Sequence, residues 1–247
     1  MNNFLKIFFF SLLFFGCSKP ADCIKSSGLL TTKNYSNLVF DKIIVFTGIN
    51  LIVKQGPDYN VSVSAGQNLI DDIEVSVADG QLTLKDKTTC NWVRDYGETV
   101  VTVTTPNLIE IYSKTEGKIS SQGKLTYPAL NLIAVDNFDG LPGSGTGDFI
   151  MNIENQNLNL TNNTFANFFI TGKTNQLSIA IYEGNGKIEA QELVAQNIQI
   201  YHRGSNAVRL NPILAIRGDL YNIGNIYCRQ RPPIVQVTSH FHGKIFF

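Results

Sequence analysis

Apolar and polar residues alternate with a period of two in many short runs of this chain, which predicts strands and not helices. Val61-Ser62-Val63-Ser64 alternates, so does Ile73-Glu74-Val75-Ser76-Val77, and Val100 to Thr104 repeats the pattern until Pro106 stops it. Successive strand side chains point to opposite faces, so each run carries one apolar face that must be covered. Lys42 to Phe46, Asn50 to Gln55 and Asn60 to Ala65 are further β-rich runs, punctuated by Thr47-Gly48, Gly56-Pro57-Asp58 and Gly66. Asp79-Gly80 stands between Ile73–Val77 and Gln81–Leu84, and an Asp-Gly pair between alternating runs predicts a tight hairpin. No long stretch shows the apolar spacing of a helix.

From Leu108 a longer period appears. Ile111-Tyr112 is followed by Gly117-Lys118-Ile119, and Ile181-Tyr182 by Gly186-Lys187-Ile188. Ile200-Tyr201 and Ile226-Tyr227 lead to a closing Gly243-Lys244-Ile245. Strand openings at Leu108, Leu130, Leu158, Leu177, Ile198 and Leu220 recur every 19 to 28 residues. A strand-turn-strand unit at that period predicts stacked repeats with apolar side chains inward. The predicted fold class is all-β: a parallel β-helix-like solenoid with a hairpin-rich N-terminal part. A β-sandwich is the competing arrangement. Asn152, Asn155, Asn157, Asn159, Asn162, Asn163 and Asn167 crowd one stretch. Asn tolerates the left-handed conformation of tight corners, and its amide can bond an adjacent repeat.

The first residues form a separate unit. A lysine at position 6 precedes the apolar run Ile7 to Phe15, which ends at Gly16-Cys17. This reads as an export signal over residues 1–16, too short for a spanning helix of about 20 residues. Phe14-Phe15-Gly16-Cys17 resembles the lipobox of bacterial lipoproteins. That resemblance implies a diacylglycerol on Cys17 and a membrane as partner, and two acyl chains suffice for stable anchoring. The expected location is the outer membrane of a cell envelope, on its periplasmic or surface face. Residues 17–37, with Ser, Lys, Pro, Thr and Asn, read as a tether to one domain over 38–247, whose candidate halves are 38–107 and 108–247. Cys23, Cys90 and Cys228 remain. None has a metal-ligand spacing, so no metal or other cofactor is expected. Cys23–Cys90 is the preferred disulfide, because it ties the segment beyond the anchor to the first sheet region. Closing that loop is worth about 4 kcal/mol in the chain-entropy model. Cys228 is then a lone buried thiol.

Phe46-Thr47-Gly48-Ile49-Asn50-Leu51-Ile52-Val53-Lys54-Gln55-Gly56 resembles the opening of the head-GIN domain of the auto-transporter adhesin family, with Gly48-Ile49-Asn50 at the tripeptide. Tyr59 and Val61, Ala65-Gly66-Gln67-Asn68-Leu69 and Asp79-Gly80-Gln81-Leu82 follow in the family's order, and Cys90-Asn91-Trp92-Val93-Arg94 with Asp95-Tyr96 is similar to a lipoprotein subgroup of it. The similarity covers roughly residues 38 to 230. It implies an all-β, β-helix-like domain on an envelope lipoprotein, and it brings no catalytic residues.

Chemistry is sparse. There is no G-x-S-x-G, no H-E-x-x-H, no phosphate loop and no dinucleotide fingerprint. Gly143-Ser144-Gly145-Thr146-Gly147 lacks the lysine of a phosphate loop and reads as a flexible turn. His240-Phe241-His242 would place two surface imidazoles on one face of a strand. Phe165, Phe168 and Phe169 read as core or as faces for sugar stacking. The formal net charge is zero, which gives no reason to expect nucleic acid. Charge is nevertheless uneven. Nine acids face four bases between Leu69 and Glu116, whereas six bases face Asp219 alone between Ile200 and Phe247. Arg203, Arg217 and Arg229 are the candidate strip for an anionic glycan or lipid phosphate, since guanidinium favours planar acidic partners. The expected function is a lipid-anchored envelope protein with a non-enzymatic adhesive, structural or glycan-binding role. Its partner would be a glycan or another envelope protein. The alternative is a carbohydrate-active β-helix enzyme acting on anionic polysaccharide, which would need clustered carboxylates.

Overall fold

The computed structural model describes residues 26–88, 99–136 and 140–247. The leader, Cys17, Cys23 and Cys90 lie outside the described residues, and so does the Cys23–Cys90 pairing.

The strands are β1 (Leu30–Ser36), β2 (Lys42–Phe46), β3 (Ile49–Gln55), β4 (Asn60–Gly66), β5 (Ile73–Ala78), β6 (Gln81–Asp86), β7 (Thr99–Thr105), β8 (Glu110–Lys114), β9 (Ile119–Leu125) and β10 (Ala129–Ala134). Four long ones follow: β11 (Phe149–Asn162), β12 (Phe168–Ile181), β13 (Ile188–His202) and β14 (Val208–Leu220). The last are β15 (Ile226–Cys228), β16 (Ile234–Ser239) and β17 (Ile245–Phe246). The all-β expectation holds. Among the described residues the single helical element is one 3₁₀ turn, Ile70–Asp72. All the strands belong to one hydrogen-bonded sheet.

Antiparallel pairing is confined to the N-terminal end. β5 and β6 form the hairpin expected at Asp79-Gly80. Both turn residues have positive φ, 50° and 75°, which is the turn geometry that matches strand twist. β4 runs antiparallel to β7 and to β1. β1 lies within the segment read as a tether. Its alternate residues face solvent, so its composition is that of a polar edge strand.

Every other pairing is parallel. β2 and β3 pair with β8 and β9, which pair in turn with β10 and β11. From β11 onward each strand pairs with residues 17 to 21 positions later. Leu130, Leu158, Leu177 and Ile198 share one register column, continued by Ile216 and Val235. The first five are almost fully buried, and each such side chain contributes about 1.5–3 kcal/mol. Of the expected strand openings only Leu130 lies at a strand start, as the second residue of β10, whereas Leu158, Leu177 and Ile198 lie in the second halves of β11, β12 and β13. Leu220 is the last residue of β14, because irregularities at Glu189/Val194 and Ala195/Asn197 bring Ile216 into the column instead. Leu108 is buried but precedes β8.

The recurring Gly-Lys-Ile has a physical cause. The Lys118, Lys187 and Lys244 amides donate to the side-chain oxygens of Asn50, Asn167 and Asn225, one repeat back, at 2.8, 2.9 and 2.8 Å. Each glycine precedes that bond at a close backbone approach. A Cβ at Gly117 would lie 2.2 Å from the Ile49 carbonyl oxygen, and one at Gly186 would lie 2.1 Å from that of Ala166. The isoleucines then enter the core at Ile119 and Ile188. Asn50 of the Gly48-Ile49-Asn50 tripeptide is thus a bond between repeats. The Gly145-Thr146-Gly147 corner is also held in place. Thr146 and Gly147 both donate to the Thr115 carbonyl, at 3.1 and 3.0 Å, where the sequence suggested flexibility.

Candidate functional site

Outward residues of β11 to β16 align as strictly as inward ones. Asn159, Ser178, Gln199, Arg217 and Gln236 form one outward column, and Thr161, Ala180, Tyr201, Asp219 and Thr238 form the next. Beyond the strand ends the backbone bonds continue from Tyr182 to Asn162, Arg203 to Ile181, Tyr221 to His202 and His240 to Leu220. These bonds bring four rings into a ladder. Tyr182 and Tyr201 are 5.6 Å apart, Tyr201 and Tyr221 5.0 Å, and Tyr221 and His240 4.4 Å. Tyr182, Tyr221 and His240 are all exposed.

Of the three candidate arginines, the fold places Arg203 and Arg217 on this face and Arg229 elsewhere. Arg203 follows Tyr201 by two residues and is exposed. Arg217 donates from Nε to Gln236 Oε1 at 2.9 Å. Among the described residues neither has a carboxylate within ion-pair distance. Arg229 sits at the bend between β15 and β16 and is bound to Glu192 at 2.7 Å. Arg209 is likewise taken by Glu189 at 2.7 Å, with its guanidinium over the Tyr227 ring. The three arginines therefore do not make one strip, because charge partners are chosen across the sheet and not along the chain.

His240 and His242 lie in the turn after β16, so strand alternation does not apply to them. His240 Nε2 is 2.8 Å from Asp219 Oδ1, and the His242 ring packs on Phe241 at 4.1 Å. Phe168 is buried and stacks on Phe149 at 4.7 Å, whereas Phe165 and Phe169 are exposed.

Two depressions on the surface of the described residues bear on function. The smaller, of 340 Å³, lies beside Tyr201. The larger, of 740 Å³, follows the bend of β11 to β13. There Glu154 is bracketed by Lys124 at 2.5 Å and Lys173 at 2.8 Å. Hydrogen bonds from Lys124 and then Lys173 hold its carboxyl below the usual range. Asn175 also bonds Gln156 across it. Its groups are largely engaged with one another; beside Tyr201, Asn159 donates to Asn131 Oδ1 at 2.8 Å. Among the described residues no three His, Cys, Asp or Glu side chains gather as a metal site, and no helix is long and apolar enough to cross a membrane.

The ladder escaped the sequence reading, although its signal was there. Tyr182, Tyr201, Tyr221 and His240 recur at 19 to 20 residues, the period of the repeat itself.

In-register parallel pairing with an aromatic outer face defines an all-β protein built from stacked strands. The chain belongs to the putative auto-transporter adhesin, head GIN domain family, whose model matches residues 39–232. Its fold is similar to that of a putative adhesin from Bacteroides fragilis, at 22% identity and a TM-score of 0.78, covering 90% of this chain and 98% of that one. It is also similar to a putative adhesin from Parabacteroides merdae, at 18% identity and a TM-score of 0.60, covering 92% and 100%. A putative lipid binding protein from Parabacteroides distasonis shares the fold at 15% identity and a TM-score of 0.66, covering 90% and 100%. No curated protein matches the chain.

Proposed function

We propose that the stacked repeats form a parallel β-helix-like solenoid that serves as a rigid, non-enzymatic adhesive surface. A lipid on Cys17 holds it to the outer membrane of the envelope, and its outer face contacts an anionic glycan. The observation that carries this reading is the register between repeats. It lines up Tyr182, Tyr201, Tyr221 and His240 on one side and, among the described residues, leaves Arg203 and Arg217 without a carboxylate at ion-pair distance. Stacked repeats offer long binding faces fixed by their neighbours. Guanidinium groups free of carboxylates attract acidic ligands, an attraction that weakens with salt.

Two measurements test the proposal. Intact-mass analysis of membrane-extracted protein should find acyl chains on Cys17, and a free thiol there would remove the anchor. Purified protein should be retained on an acidic polysaccharide in low salt, and Arg203→Glu with Arg217→Glu should abolish retention. Unchanged retention excludes the arginines, and new reducing or unsaturated ends would make the protein an enzyme.

A further inference from the structure

The geometry points to the depression beside Tyr201 as a binding site for one acidic pyranose unit of a glycan. This inference rests on the adhesive reading and names its ligand class. The depression exists because of a step in side-chain size between paired residues. Ala180 stands directly before Tyr201, and Ser178 directly before Gln199. A phenol ring therefore projects beside a methyl group, and a long amide beside a hydroxymethyl. Asn159 and Thr161 of the preceding repeat close the far side. The resulting volume of 340 Å³ lies at the small end of the range for ligand sites, about 300–1,000 Å³.

Each lining group suits a sugar acid. The Tyr201 ring is tilted 49° from Tyr182 and 43° from Tyr221, so neither neighbour lies flat against it. Ring surface remains for the C–H face of a pyranose, which gains dispersion energy there. Ser178 and Gln199 supply donors and acceptors for ring hydroxyls, and Asn159, whose nitrogen donates to Asn131, adds its side-chain oxygen as an acceptor. Arg217 follows Gln199 in the register, with one N–H committed to Gln236 and the rest of its fork available to a carboxylate. Arg203 adds positive charge two residues past Tyr201. The neighbouring acid, Asp219, has its Oδ1 engaged by His240 at 2.8 Å. A bare phosphate would use the arginines but not the ring face, and a neutral sugar would use the ring face but not the arginines.

The test is calorimetric titration of the folded protein with a short oligogalacturonate, against maltohexaose as the neutral counterpart and inorganic phosphate as the bare anion. Oligogalacturonate should bind at least tenfold more tightly than either. Ala180→Phe fills the depression from the solvent side, and it should weaken binding tenfold or more without moving the melting temperature. Tyr201→Ala should also weaken binding tenfold or more, and Arg217→Gln should lower both affinity and its salt dependence. Unchanged affinity in Ala180→Phe and Tyr201→Ala overturns the inference, as does equal binding of maltohexaose or phosphate. Retention on acidic polysaccharide that survives those two variants but is lost in the Arg203→Glu, Arg217→Glu protein discards the depression and keeps the adhesive reading. Wild-type protein that is not retained discards both.

Discussion

His202 and Asn162 stand in one register column, two repeats apart, and fasten the turns that follow them with the same pair of hydrogen bonds. The Asn162 side-chain oxygen accepts from the Thr164 amide at 2.9 Å, and its nitrogen donates to the Ala166 carbonyl at 3.1 Å. His202 Nδ1 accepts from the Gly204 amide at 3.2 Å, and Nε2 lies 3.0 Å from the Asn206 carbonyl. The first bond assigns the proton to Nε2. Ser239 continues the column and bonds the Phe241 and Gly243 carbonyls. Three residue types thus solve one problem, which is to pair the polar backbone of a corner, buried after Asn162 and His202 and exposed after Ser239.

A neutral imidazole is required at position 202. The ring is 1% exposed, and burial pushes its pKa below the ordinary 6.5. A depressed folded pKa means that the unfolded chain takes up the proton first. The His202 contribution to stability is therefore complete above pH 6.5, falls as pH drops below it, and levels off below the folded pKa. Urea midpoints measured from pH 8 to pH 5 should decline below pH 6.5 in the native protein. In His202→Asn, which copies Asn162, this part of the decline should vanish.

Gly218 has φ +138°, and a Cβ there would lie 1.8 Å from the Ile200 carbonyl oxygen. Gly218→Ala should cost about 3 kcal/mol or more, since backbone must move as well as adopt a strained dihedral. Gly123 has φ +84° with nothing within 4 Å of a built Cβ. Gly123→Ala should cost only about 1 kcal/mol. Similar losses in the two variants by chemical denaturation would contradict the close approach.

Asn50→Ala removes the acceptor for the Lys118 amide and should lower stability by about 1–2 kcal/mol. Asn50→Asp keeps an acceptor oxygen and should recover most of the loss. Hydrogen exchange at Lys118 reads the bond directly, and it should accelerate in the alanine variant and not in the aspartate one.

Cys228 is buried, and desolvation pushes its thiol up to about 12. The thiolate is the nucleophile, so iodoacetamide at pH 8 should leave Cys228 unlabelled in peptide maps of the native protein. Labelling should become complete in denaturant. Rapid native labelling would show that the end of the sheet near β15 opens.

Period-two alternation named the strands well, because inward and outward positions are set residue by residue. Lys42–Phe46 matches β2 end to end, and the Asp79-Gly80 hairpin forms as expected. Leu130, Leu158, Leu177 and Ile198, expected as strand openings, instead share one register column, and Leu220 does not join it. Irregular pairing changes the residue count per repeat and leaves no mark in the apolar pattern. The arginines fared less well for a related reason. Their spacing suggested a strip, yet Glu192 claims Arg229 from a position 37 residues away.

By itself the sequence determined the core strands but not β1, their inward faces, the corner residues Gly and Asn, and the family, since each of these depends on neighbours along the chain. The tertiary structure alone decided which outward side chains meet. Stacking converts a separation of 19 or 20 residues into ring contacts of about 5 Å, and a single shift in register would have built a different surface from the same strands.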